Sequence, residues 1–184
     1  MLPPNFQWLE DIGTLPKLVS SSLQYIGVKE IKGSANNPII MDMAKGLGID
    51  SIYTSDDTQA WCALFINHLI RISGKPMLDI KGDKYNYLRA RYMANWGNPV
   101  ERGEEKLGDV IILKREGGGH TGLFIASTDK GIILLGGNQG NAVSFSEFDD
   151  NRIIAARNYY SIAPPDSAKL YTIDSTGKLS TNEA

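Results

Sequence analysis

The chain contains one cysteine, Cys62, in the segment DDTQAWCALFINHLI, and two histidines, His68 and His120. A thiol attacks a carbonyl as its thiolate, and a base within reach lets it do so at neutral pH. His68 lies six residues past Cys62 in a segment of helical periodicity, hence on another face and more than a turn away. His120 follows Gly117, Gly118 and Gly119 and opens the run HTGLFIA. Glycines let the backbone approach another element or a substrate closely and leave the imidazole unobstructed. His120 is therefore the expected base. The opposite reading of each residue is a buried, inert thiol and a histidine half-buried at a strand start.

A cysteine–histidine pair needs a third group to orient the ring. Asn138 stands in LLGGNQGN, directly after an apolar run. If that run pairs with the His120 strand as a hairpin, the Asn138 end returns beside His120. Strand alternation then sends Gln139 to the other side. The same GGNQGN is also simply a good turn.

The elements that must position these residues are legible in outline. Leu15, Leu18, Val19, Leu23 and Ile26 predict a first amphipathic helix ended by Gly27, and Ile39–Leu47 a second closed by Gly48. A third is predicted from Thr58 to Gly74, with Trp61, Leu64, Phe65, Leu69 and Ile72 on one face. Asp56, Asp57 and Thr58 would cap its start, and the helix dipole there would depress the pKa of the Cys62 thiol. A short helix is expected within Tyr85–Trp96. Beyond Gly97, Val110–Lys114, His120–Ser127, Gly131–Leu135, Val143–Phe148 and Arg152–Tyr160 read as antiparallel strands, with Asp129–Lys130–Gly131 a hairpin turn. Helices first and strands after is an α+β pattern. The expected division is a domain over residues 1–161 and a polar tail over 162–184 without a core of its own.

Composition narrows the function. A formal charge of −2 argues against a nucleic-acid partner, although a local basic patch would suffice for an anionic substrate. No stretch has the length of apolar residues a membrane span needs. The N-terminal MLPPNFQWLEDIG lacks the pattern of a secretory signal. One cysteine excludes an internal disulfide, and no HExxH-like spacing offers a metal site. No cofactor is expected.

The motifs together resemble a family. DDTQAWCALFINHLI is similar to the nucleophile motif of small bacterial and phage cysteine hydrolases related to the CHAP amidase/peptidase group and the wider NlpC-type, papain-like fold. Four more blocks follow the family's order: GVKEIKGSANNPII, RARYMANWGNPV, LGDVIILKREGGGHTGLFIA and ILLGGNQGNAVSFSEFDDNRIIAARNY. The resemblance spans about residues 15–160; Asp79–Asn86 is longer than the family's usual stretch, and the tail matches nothing. It implies N-terminal helices packed on a small antiparallel sheet, and a cysteine amidase or endopeptidase acting on the peptide part of peptidoglycan. It implies Cys62 as nucleophile, His120 as base and Asn138 as the orienting residue. Gln59, at the expected first turn of the third helix, is a candidate oxyanion donor. Asp57 is a candidate ligand for a substrate amine, with helix capping the favoured alternative. Gln139 and Trp61 complete the substrate-side candidates, Trp61 being expected to pack in the core. Action on the bacterial cell wall would then require delivery by a phage particle, a holin-type release or a secretion system, and the tail is a candidate partner-binding segment. Two other readings use the same residues: a phage structural or wall-binding module without turnover, and a Cys/His acyltransferase or deamidase acting on a protein.

Overall fold

In the computed structural model, which describes residues 2–181, helices and a six-stranded antiparallel sheet form the α+β architecture expected from the sequence. A 3-10 turn over Pro4–Glu10 buries Phe6 and Leu9. Helix α1 (Lys17–Ser22) continues as a 3-10 turn, Leu23–Tyr25. Helix α2 (Pro38–Gly46) is started by Asn37, whose side chain accepts the Ile39 N–H, with proline in the first turn where no N–H is needed. Helix α3 (Cys62–Ile72) is buried continuously from Cys62 to Ile70, so it runs through the core instead of along it. Two 3-10 turns, Lys84–Tyr87 and Ala90–Asn95, occupy the predicted fourth helix.

The strands are β1 (Asn98–Val100), β2 (Val110–Arg115), β3 (Gly118–Ser127), β4 (Ile132–Gly136), β5 (Ser144–Phe148) and β6 (Ile153–Asn158), in the order β1-β6-β2-β3-β4-β5. The short β1 was not foreseen; it is held by pairing with the far end of the chain, Asn98 opposite Asn158. Alternation splits the sheet's side chains between two apolar layers. Val110, Ile112, Leu123, Ile125, Ile133 and Leu135 join the helices in the main core. Ile111, Leu113, Phe124, Ile132, Leu134 and Phe148 form a second cluster on the other face. Strands buried on both faces read as continuous apolar runs, as VIIL and IILL do here.

The segment after Ser161 is docked along the domain, which the sequence did not suggest. Ser127 N–H donates to Tyr171 O and Ile173 N–H to Ser127 O, while Ser180 N–H donates to Glu147 O. Tyr171 and Ile173 pack on the core, and the Tyr171 ring lies 4.8 Å from Trp8. The buried Glu147 carboxylate ties this strap down, accepting from Thr128, Ser175 and both donors of Thr176 at 2.5–2.9 Å. Burial acts to raise the Glu147 pKa, and these bonds outweigh it and bring the pKa below the ordinary value. The segment has no core of its own because it shares the domain's. A chain ending at Ser161 should lose on the order of 2–4 kcal/mol, from the stranded carboxylate and the uncovered apolar area. Thermal unfolding of the truncated and full chains checks this; equal melting temperatures would mean the strap contributes no stability.

Candidate active site

Cys62 is the first residue of α3, following Trp61 at the N-cap, and no side chain caps this end. The helix starts four residues later than the periodicity suggested, because the expected capping residues are engaged elsewhere. Asp56 accepts N–H bonds from Asn37 at 2.7 Å and Ile31 at 3.4 Å, and Asp57 accepts from Gly33 at 3.0 Å. Both therefore fasten the 31–37 loop, and neither caps α3. Gln59 braces its own loop: Oε1 accepts from the Thr54 and Ser55 amides, and Nε2 donates to Ile52 O. With its carboxamide spent in this way, Gln59 is not positioned as an oxyanion donor. Trp61 is fully buried and donates to Glu30 at 3.3 Å, a core role.

The thiol sits at the floor of a cleft of about 330 Å³, bounded by Ala60, Leu88–Arg91, Arg115, Gly118 and Gly119, and is only 3% exposed. Burial pushes its pKa up, against the lowering expected from the helix end. The amides of Thr121 and Ala63, the Arg115 charge and the Cys62 amide oppose that rise without cancelling it. That rise favours the thiol over the thiolate.

The Thr121 amide that reaches the thiol belongs to the residue after His120. His120 is completely buried, and its Nε2 lies 3.0 Å from Gln139 Oε1. Asn138 was the expected partner, and the structure places Gln139 there instead. The reason is backbone conformation. β4 ends at Gly136, and the following turn has left-handed φ at Asn138, Gly140 and Asn141, so strand alternation does not extend to Gln139. Gln139 Nε2 donates to the Leu134 and Ser144 carbonyls, at 3.2 and 2.6 Å, which aims Oε1 at the imidazole. Gly136 makes room for it, since a Cβ there would stand 2.7 Å from Oε1. Gly137 lets the turn press on Trp61 and Phe65 of the α3 region, where a Cβ would be 2.7–2.8 Å from both side chains. The Asn138 side chain is buried with its Oδ1 lacking a hydrogen bond.

His120, Gly122 and Phe124 share one face of β3, as alternation suggested. His120 stands opposite Leu113 in the β2 register, and its ring lies 5.3 Å from Phe148, so it adjoins the second cluster. Cys62 lies in the main core on the α3 side. The thiol and the imidazole therefore belong to opposite faces of β3, and Thr121, next to His120 in the chain, is on the Cys62 side. Thr121 was missed by the sequence reading; it is fully buried, on the Cys62 side, and its hydroxyl has no hydrogen-bond partner. Only its position next to a candidate base could have drawn attention to it.

His68 is structural. Its Nε2 is 2.8 Å from the Tyr25 hydroxyl, and burial, followed by the Arg71 charge, lowers its pKa to about 4. Because the folded value lies below the ordinary 6.5, the neutral ring is favoured in the native state. Its contribution to stability is complete above about pH 6.5 and is lost as pH falls toward 4. His68→Gln should flatten the fall in melting temperature between pH 7 and pH 4.5; an unchanged slope would assign the acid sensitivity to other groups.

Among the described residues no cluster of histidine, cysteine or carboxylate side chains is able to hold a metal ion, and no helix is long and apolar enough to cross a membrane. Compared with known proteins, the chain matches no family model and no curated protein sequence.

Proposed function

We propose that this protein is a papain-like cysteine amidase or endopeptidase that cleaves the peptide part of bacterial peptidoglycan. The observation that supports this most is that the amide of the residue next to His120 acts on the Cys62 thiol. The first residue of α3 carries the thiol, the Thr121 amide of β3 contacts it, and the adjacent His120 is held through Nε2 by Gln139. In this reading the ring donates Nε2–H to Gln139, and Nδ1 is the base. The substrate class comes from the five ordered motif blocks.

In this mechanism His120 takes the Cys62 proton and the thiolate adds to the amide carbonyl. The C–N bond then breaks as the imidazolium protonates the leaving amine, giving a thioester. Water, deprotonated by His120, cleaves the thioester and restores the thiol. The Cys62 amide, one of the N–H groups left without a helical acceptor at the start of α3, is an oxyanion donor. Mass spectrometry of fragments released from purified peptidoglycan identifies the bond. New amine and carboxyl ends are expected with wild type and none with Cys62→Ala.

A second reading has one observation in its favour. The thiol is buried with a raised pKa, and His120 adjoins the opposite face of β3. Such an arrangement suits a wall-binding module that keeps the fold without turnover. Sedimentation with peptidoglycan and no released fragments would select it.

A further inference from the structure

The cleft over Cys62 has a charge that the chain's net −2 conceals. Among the described residues its wall carries Arg89, Arg91 and Arg115 and no carboxylate. A second cleft shares Arg91 and Arg115 and adds Lys114 and Arg152, with Glu116 as its acidic side chain. The two clefts meet at Arg91 and Arg115. Arg89 is compensated by Asp83 at 2.6 Å. Arg91 is different. Its Nε donates to Gly118 O at 2.6 Å and a terminal nitrogen to Arg115 O at 3.3 Å, both neutral carbonyls. These bonds fix the guanidinium along the β2–β3 hairpin without neutralising it, and a guanidinium has about five N–H donors, enough to leave some for a ligand. The Arg115 charge, moreover, acts on the Cys62 thiol itself. Guanidinium groups in a fixed geometry suit the two oxygens of a carboxylate.

From this we infer that the cleft selects peptides carrying a free carboxylate beside the amide to be cut, with Arg91 as the specificity-determining residue. The inference rests on the hydrolase reading for the word cut, but recognition is separable from chemistry. A carboxylate seated on Arg91 lies in the thiol's cleft and orients the scissile amide over Cys62.

The test compares two synthetic peptides, N-acetyl-Ala-γ-D-Glu-Lys with the glutamyl α-carboxylate free, and the same peptide with that group as its carboxamide. Binding is measured by calorimetry on Cys62→Ala, which cannot turn over either. The free acid should bind about tenfold or more tightly at low salt, and the ratio should shrink as salt screens the pair. Adding Arg91→Gln to Cys62→Ala should bring the two affinities together, while Arg91→Lys should retain part of the preference. Equal binding of the two peptides, or binding of neither, overturns the inference. Turnover of both peptides at equal kcat/KM by wild type would overturn it while leaving the hydrolase reading intact. A preference in binding without turnover of either peptide would support the inference and remove the hydrolase reading.

Discussion

Cys62→Ala is expected to abolish release of peptidoglycan fragments, with a loss of more than a hundredfold, while circular dichroism and melting temperature stay near those of wild type. Losses of this size follow when one member of a group that acts as a unit is removed. The fold should tolerate the change because a buried cysteine behaves as a small apolar side chain and alanine leaves only a small void. The raised pKa adds a second expectation. Since burial favours the thiol over the thiolate, alkylation of the free protein by iodoacetamide should be slow at neutral pH and quicken as pH rises past the ordinary thiol range. Turnover above about a hundredth of wild type in Cys62→Ala would remove Cys62 from the role of nucleophile.

The second large effect is expected at the imidazole and its support. His120→Ala should be nearly as damaging as loss of Cys62, and His68→Ala mild for turnover. Gln139→Ala should lower kcat by about ten- to a thousandfold, the range of general-base effects, because the ring loses the acceptor that orients it. Gln139→Glu places a charge in the same position and should alter the pH profile of kcat more than its maximum, by favouring the imidazolium. Asn138→Ala should act mainly on stability, through its left-handed backbone, and Asn138→Gly less so. Kinetics across a pH series separate these effects. Equal losses for the two histidines would undo the choice of base. A larger catalytic loss at Asn138 than at Gln139 would return the orienting role to the asparagine.

The contrast between Asn138 and Gln139 shows where sequence reasoning ends. Periodicity is local, so the α+β order, the run of β2 to β6 and the buried character of the α3 segment were all legible from the spacing of apolar residues. The proximity of the GGNQ turn to His120 was also legible, because a hairpin must return its end to the start of its partner. Which side chain then faces the ring depended on the turn after Gly136, whose left-handed residues Asn138, Gly140 and Asn141 follow no alternation rule.

The start of α3 failed for a related reason. Asp56, Asp57 and Gln59 have the chemistry of caps, yet their acceptors serve amides in the 31–37 and 52–55 loops. Those partners are chosen when loops meet, up to 25 residues away along the chain. The thiol pKa reversed direction because burial is a property of the packed molecule, whereas the helix end is visible in the sequence. The tail was read as detached because it is polar and aperiodic. An extended strap needs neither a core nor a period, only backbone partners and a buried carboxylate to bind, and Ser127 and Glu147 supply these from strands far back in the chain. Residue types and spacing reveal the chemistry a chain carries; which groups meet, and how dry they are when they meet, is decided by tertiary structure, because hydrogen-bond partners and solvent exposure depend on contacts between distant segments.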